Sequence, residues 1–203
     1  MGEVRALLPL MIAAAQGLVR DMGAFRIILA VAETVDRDGI KRMCDESGMD
    51  VRQITGDPNG VMAASDLLFV ASGTATLQAA IIGTPMVIVY KMPRLGYKIA
   101  RVLTRTAASL AARRICWPDI PTMDCIGLPN LIAGRPFIPE LIQTQATPEA
   151  LAAEARRILS DEPVRQDMLA GMATVRARLG PPGASKRAAT VILNVLASPK
   201  AQL

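Results

Sequence analysis

The feature that most constrains the fold is an uncharged stretch from Leu67 to Tyr90. An apolar run, Leu67–Val70, leads into the small turn Ser72-Gly73-Thr74, and a second apolar run, Met86–Tyr90, follows later. Short apolar runs bounded by turn residues indicate buried strands, so the stretch predicts a strand, a helix and a strand. Its length would also allow a membrane span, but glycines, a proline and several polar side chains interrupt it.

The turn Ser72-Gly73-Thr74 has two interpretations. A helix that begins here presents free backbone N–H groups and the positive end of its dipole, which together bind phosphate. Alternatively, Ser72 or Thr74 caps the helix and the turn is an ordinary connection. Ligands of parallel sheets bind at the carboxyl ends of strands, where this turn lies. The residues alone leave both interpretations open.

The rest of the chain alternates apolar runs with amphipathic segments, which predicts an α/β fold with a Rossmann-like, doubly wound parallel sheet. The elements expected before and after the central unit are a helix over 3–22, a strand over 27–31, a helix over 35–46, a strand over 51–54, a short helix over 61–64 and a basic helix over 95–104. Helices that start at a Thr147 cap, at Pro163 and at a Ser185 cap predict a helical carboxyl-terminal region over 147–197.

We expect residues 1–203 to form a single Rossmann-like nucleotide-sugar-binding domain that is incomplete at its amino terminus. The chain opens on a helix, whereas a Rossmann-like unit begins with its central strand. The sequence therefore predicts that the first strand, and more of the protein, lies upstream.

The formal net charge of +5 favours an anionic partner. Only 3% of the residues are aromatic, which leaves few stacking platforms and argues against nucleic acid. Cations beside aliphatic residues, as around Lys98, suit an anionic membrane surface, although a solvated helix face has the same pattern. Much of the excess charge is local and comes from Lys91, Arg94, Lys98, Arg101, Arg105, Arg113 and Arg114.

The chain has no histidine and three cysteines without a CxxC pair. The lack of histidine excludes Ser-His-Asp and Cys-His mechanisms and His-ligated metal sites within this chain. The cysteines fit neither a disulfide framework nor a metal cluster, so we expect reduced thiols in a cytoplasm. Chemistry here would depend on carboxylates, on lysine, or on binding and positioning, and we expect no metal and no cofactor.

Several segments together resemble lipid-A-disaccharide synthases, and the order and spacing agree across most of the chain. The LPNLIAGR segment makes the resemblance specific. The segments that carry the resemblance are Glu3-Val4 with Leu7-Leu8-Pro9, then Ser72–Leu77, Gly83–Val87, Tyr90–Met92, Leu128–Arg135 and Pro139–Gln143. The resemblance implies an inverting glycosyltransferase of the GT-B type, with two Rossmann-like halves. Such enzymes join UDP-2,3-diacylglucosamine to 2,3-diacylglucosamine 1-phosphate, which releases UDP and forms the lipid A disaccharide.

The resemblance covers the donor-binding half and implies donor-site roles only, with no catalytic residue in this chain. Position 78 is glutamine where the family usually has glutamate, and the segment over 105–125 is longer than the usual link. Local sequence favours an Asx-turn role for Asn130. The implied donor-site residues are Ser72, Gly73 and Thr74 around the diphosphate, Gln78 near the ribose, Lys91 near the phosphates, and Asn130 and Gln143 in the donor cleft.

The implied partners are the UDP-diacylglucosamine donor, the monosaccharide lipid acceptor and a missing amino-terminal half, supplied in cis or in trans. That half carries the acceptor surface and the candidate catalytic base. Acylated substrates imply a cytoplasmic protein, peripheral on the cytoplasmic face of the inner membrane. The alternatives are a non-catalytic nucleotide-binding or assembly module, or another GT-B enzyme that uses a UDP-sugar.

Overall fold

Parallel strands form two sheets in the computed structural model, which describes residues 2–23, 25–91 and 125–197. Strand β1 (Ile27–Val31) pairs with β2 (Val51–Thr55). Strands β3 (Leu68–Ala71), β4 (Met86–Tyr90) and β5 (Glu140–Ile142) form the second sheet in that order. The α/β class and the parallel pairing agree with the sequence. The described strands nevertheless form two sheets, where the sequence predicts one.

Eight helices of the described chain flank these strands. Helix α1 runs through Pro9 without a break, and Ser185 lies inside the last helix, so the prediction that it caps that helix is wrong. The predicted basic helix over 95–104 lies outside the described residues. The helices are α1 (Gly2–Met22), α2 (Arg37–Glu46), α3 (Pro58–Ala63), α4 (Thr74–Ile82), α5 (Leu128–Ala133), α6 (Pro148–Ser160), α7 (Glu162–Leu179) and α8 (Ala184–Ala197).

Four helices begin at a side chain that accepts a hydrogen bond from the backbone N–H three residues further on. These caps satisfy N–H groups that have no partner inside the helix. The Thr147 cap of α6 confirms the prediction made for that residue. The other three caps are Asp36 for α2, Asp57 for α3 and Asp161 for α7.

The main core surrounds β4, whose side chains from Met86 to Val89 have no exposed surface. Helices α1, α4, α6 and α7 supply most of the rest of this cluster. A smaller cluster joins Leu8 and Ile12 of α1 to β1 and α2, and it contains Cys44. Burial, with the charge of Asp45, raises the pKa of the Cys44 thiol.

Helix α1 is the one described helix that is long and apolar enough to cross a membrane. Seven of its side chains are buried, and six of these belong to the two core clusters, as in the core helix of a folded domain. The other candidate span, Leu67–Tyr90, is a strand, a helix and a strand, as the sequence predicts.

Helix α8 packs differently from the other helices. Every residue from 184 to 194 is exposed, including the apolar residues Val191, Ile192 and Leu193. Its first turn is held to the preceding turn by Arg187, whose guanidinium donates to the carbonyl oxygens of Pro181 and Pro182.

Candidate functional site

The carboxyl ends of β3, β4 and β5 lie along one edge of their sheet, because the three strands are parallel. The register aligns Ala71 with Val89, and Val89 with Leu141. The residues that follow the strand ends are Ser72 after β3, Lys91 after β4 and Gln143 after β5. Gly73 and Thr74 come directly after Ser72, so the topology brings five of the seven predicted site residues to the edge where parallel sheets bind ligands.

Helix α4 begins at this edge without a side-chain cap. Its N-cap residue is Gly73, and neither Ser72 nor Thr74 caps the helix. The Gly73 carbonyl accepts from both the backbone N–H and the hydroxyl of Thr76. The N–H groups of Thr74 and Ala75 lie in the first turn, where a helix provides no acceptor for them. The prediction that Ser72 or Thr74 caps the helix is therefore wrong, and anion binding at this turn stays a prediction.

The described residues leave space in front of Gly73. A Cβ atom at this position would meet none of their atoms within 4 Å, and both Gly73 and Thr74 are exposed. The backbone N–H of Ser72 donates to the Val89 carbonyl over 3.1 Å, which extends the pairing of β3 with β4 up to the turn. A rigid strand end thus holds the turn while its N–H groups stay accessible.

Gln78 lies four residues beyond Thr74 in α4, so the two side chains share one face of the helix. Both are exposed. A ligand held at the start of α4 can therefore extend along this face and contact the amide of Gln78, which both donates and accepts hydrogen bonds.

Gln143 has φ of 54°, and it is the one non-glycine residue with positive φ in the described chain. Left-handed backbone costs a residue with a Cβ about 1 kcal/mol, and such strain concentrates at functional positions. The residue is half-buried at the end of β5, where a short 3-10 helix, Gln143–Gln145, begins. Lys91 is exposed at the end of β4.

Asn130 lies away from this edge, beside the start of β5. Its side chain is fully buried. The Nδ2 group donates to the Ile138 carbonyl and to Glu140 Oε1, and Oδ1 accepts from the N–H groups of Phe137 and Ile138. These four hydrogen bonds use the full capacity of the amide. Asn130 thus clamps the segment that leads into β5.

Glu140 was not singled out by the sequence, yet it organises the same region. Its carboxylate accepts from the N–H groups of Ile126 and Gly127 at the start of α5, over 2.7 and 3.0 Å. A carboxylate at a helix start is stabilised by the helix dipole. No sequence signal identifies this contact, because the two partners lie more than ten residues apart in different elements.

A groove also lies beside the start of β5. It has a volume of about 660 Å³, and its lining includes Asn130, Glu140, Arg157 and Asp167. This groove is separate from the row of strand ends formed by Ser72, Lys91 and Gln143. Within the described residues, no three His, Cys, Asp or Glu side chains form a metal-binding group.

Comparisons with known proteins agree with the resemblance seen in the sequence. A family model described as lipid-A-disaccharide synthetase matches residues 1–191. The chain belongs to this family. It is similar to the lipid-A-disaccharide synthase of Myxococcus xanthus, with 36% identity over 97% of this chain and 47% of the relative. The synthase of Anaeromyxobacter dehalogenans strain 2CP-C is 36% identical over 96% of this chain and 46% of the relative.

A third synthase, from Geobacter sulfurreducens, is 33% identical over 96% of this chain and 46% of the relative. The chain therefore spans about half the length of the curated relatives it matches. Family members are hexosyltransferases of the GT-B type, and the parallel sheets described above are consistent with one half of such an enzyme.

Proposed function

We propose that this chain is the donor-binding half of a glycosyltransferase that joins UDP-2,3-diacylglucosamine to 2,3-diacylglucosamine 1-phosphate. The observation that carries the proposal is the start of α4, which is uncapped and exposed at the carboxyl edge of the sheet. Family membership supplies the substrate class. In this function the chain holds the UDP part of the donor while the sugar is transferred.

The N–H groups of Thr74 and Ala75 bind the diphosphate in this proposal. Negative charge builds on the leaving diphosphate as the bond to the sugar breaks. Fixed N–H donors at the positive end of a helix stabilise that charge without having to reorganise during the reaction. Ser72 and Gly73 shape the turn and keep its front face open.

Gln78 contacts the ribose in the proposed site, while Lys91 and Gln143 border the phosphates and the donor cleft. Gln78 shares the helix face of Thr74, and the other two residues follow the ends of the neighbouring strands. Asn130, which the resemblance also implied, is not included among the donor contacts. Its amide makes all its hydrogen bonds inside the chain.

The base that deprotonates the acceptor hydroxyl is a carboxylate outside this chain in our proposal, because the chain has no histidine. The other half of the enzyme supplies this base and the acceptor surface, in cis or in trans. The acylated substrates bring the protein to the cytoplasmic face of the inner membrane as a peripheral protein. The cations between Lys91 and Arg114 favour such an anionic surface.

Thr74→Pro tests the diphosphate site without disturbing the helix. Thr74 is the first residue of α4, where proline is well tolerated, and the extended Gly73 before it is compatible with proline. The change removes one N–H donor. Hydrogen bonds to charged groups contribute about 1.5–3 kcal/mol, so UDP affinity measured by calorimetry should fall about tenfold or more.

Thr74→Ser is the matched control, because it keeps the N–H group and should leave UDP affinity unchanged. Equal UDP affinity in the proline variant and the wild type, with the fold intact by circular dichroism, would refute the site. The 203-residue chain alone should bind UDP in calorimetry but form no product in a disaccharide assay, since we place the base elsewhere. Product formation by the chain alone would contradict that placement.

A further inference from the structure

Helices α4 and α5 end in the same way, each at a glycine with an arginine of α7 beside it. The C-cap residues are Gly83 for α4 and Gly134 for α5, with φ of 96° and 68°. A Cβ at Gly83 would lie 3.1 Å from Arg176 Nη1, and one at Gly134 would lie 3.5 Å from Arg178 Nη1. Glycine is favoured in this left-handed conformation, and its lack of a side chain also leaves room for the arginine.

The two arginines bind carbonyl groups at the ends of these helices. Nη1 of Arg176 donates to the carbonyl oxygens of Ala80 and Ile81, over 3.2 and 3.4 Å. Nη1 of Arg178 donates to the Ile132 carbonyl over 2.6 Å. The last carbonyls of a helix have no partner within it and carry the negative end of its dipole, so a cationic donor stabilises both helix ends.

Both arginines lie in the last turn of α7. Residues two apart on a helix are separated by about 200° around its axis, so the two side chains leave α7 on opposite sides. Helix α7 contacts both α4 and α5. The end of α7 thus holds α4 with one arginine and α5 with the other.

Helix α4 packs mainly through small side chains. Its buried residues are Thr76, Ala79 and Ala80, whereas Ile81 is 47% exposed. Alanine buries little surface and forms only low ridges for interdigitation with a neighbouring helix, so this packing specifies the tilt of α4 weakly. Directional hydrogen bonds at the end of the helix supply the missing constraint.

The end of α4 is connected to its start by a short, stiff path. A helix of nine residues is a rod about 13 Å long, so a constraint at its last turn also fixes its first turn. The first turn carries the N–H groups of Thr74 and Ala75, and no side-chain cap holds it.

We propose that Arg176 is a positioning residue for the donor site. By holding the end of α4, it sets where the N–H groups of Thr74 and Ala75 meet the diphosphate. The inference rests on the proposed function of this turn. Arg178 makes the equivalent contact with α5, whose start is occupied by Glu140, and it has no part in donor binding.

Arg176→Met tests the proposal, with Arg178→Met as the matched control. Methionine keeps an unbranched apolar side chain and removes the cationic donor. Each change should lower the urea midpoint of unfolding by a similar amount, since each takes a cation from a helix end. Only Arg176→Met should weaken UDP binding in calorimetry, by about threefold to tenfold, because displaced N–H donors make poorer hydrogen bonds.

Two further measurements separate positioning from stability. In the ligand-free protein, the NMR amide shifts of Thr74 and Ala75 should change in Arg176→Met and stay constant in Arg178→Met. Both contacts of Arg176 come from the single atom Nη1, so one ammonium group can replace it. Arg176→Lys should therefore restore UDP affinity to within about twofold of the wild type.

Three results would overturn the proposal. The first is UDP affinity that is unchanged in Arg176→Met. The second is an equal loss of affinity in Arg176→Met and Arg178→Met, which would make general destabilisation the cause. The third is a loss that Arg176→Lys does not recover. These results leave the diphosphate site itself intact, whereas a wild-type chain that binds no UDP at Ser72–Ala75 would refute the proposed function and this inference with it.

Discussion

Helices α4 and α5 both open on a glycine that lacks a side-chain cap of its own, but their surroundings differ. At α5, the carboxylate of Glu140 accepts from the N–H groups of Ile126 and Gly127. At α4, no atom of the described residues lies within 4 Å of the Cβ position of Gly73. Both helix starts attract negative charge through backbone N–H groups and the helix dipole. The protein supplies the anion itself at α5, whereas at α4 we propose that the ligand supplies it.

The difference separates structural from functional residues. The α5 region is locked by Asn130 and Glu140, and its hydrogen bonds are all internal. The α4 region has exposed polar residues, Thr74 and Gln78, on a rigid strand end. Changes near α5 should therefore affect stability, while changes near α4 should affect ligand binding. Substitutions at Asn130, Gly127, Gly73 and Gln78 test this division.

Asn130→Ala should have the largest effect, a loss of about 3 kcal/mol or more in the free energy of unfolding. The change leaves the N–H groups of Phe137 and Ile138 without their acceptor in a buried setting, and each such group costs about 1–3 kcal/mol. Urea unfolding measures the free energy of unfolding of the variant and of the wild type. Gln78→Ala, at an exposed position, is the control and should stay within about 0.5 kcal/mol of the wild type. A loss for Asn130→Ala no larger than the control would contradict the clamp.

Gly127→Ala and Gly73→Ala form a matched pair. A Cβ at Gly127 would lie 2.6 Å from Ile88 Cδ1 and 2.7 Å from Glu140 Oε1, so something must move in a tight site. We expect a loss of about 1–3 kcal/mol, as for other overpacked positions. Gly73→Ala should leave the free energy of unfolding unchanged and weaken UDP binding, because the methyl group enters the approach to the N–H groups. A loss of stability for Gly73→Ala, with none for Gly127→Ala, would contradict the comparison.

Gln78→Glu should tighten UDP binding by about 0.5–1.5 kcal/mol, because a charged acceptor makes stronger hydrogen bonds to the ribose hydroxyls. Repulsion between the new carboxylate and the diphosphate opposes this gain and weakens with salt. Titration with uridine separates the two effects, since uridine has the ribose without the phosphates. If uridine binds no better to the glutamate variant, position 78 does not contact the sugar.

Asp167→Asn should have the smallest effect, below about 1 kcal/mol, because its ion pair with Arg135 is exposed on both sides. The hydrogen bond from Arg135 lowers the pKa of Asp167. Because the pKa is lowered in the folded state, the pair stabilises the fold at every pH above the ordinary pKa of an aspartate. This contribution is lost as the pH falls through the lowered pKa. Urea unfolding of both proteins at neutral and acidic pH checks this, and a difference that grows on acidification would be contrary to it.

Much of the fold follows from local patterns in the sequence. Strand β4 was predicted with its observed bounds because five apolar residues follow a glycine turn, and the Thr147 cap was predicted from a threonine before a proline. Strand β5 was not predicted, because three residues are too few to show a periodicity. The separation of β1 from β3 also has no local signal, since each strand by itself has the composition of an inner strand.

The sequence likewise predicts one part of the candidate site and not another. The uncapped start of α4 was one of two interpretations of the turn, and the choice required the positions of Ser72 and Thr74 relative to the helix. The role of Glu140 depends on a contact between elements that are distant in sequence. Contacts of this kind are set by tertiary packing, and a single sequence does not encode them in any spacing.

The most direct test of the central claim is an NMR titration of the chain with UDP, followed at the backbone amides of both helix starts. We predict large, saturable shifts for Ser72, Gly73, Thr74 and Ala75, and none for Ile126 and Gly127, whose N–H groups already bind Glu140. Shifts at the start of α5 with none at the start of α4 would contradict the claim that α4 is the diphosphate site.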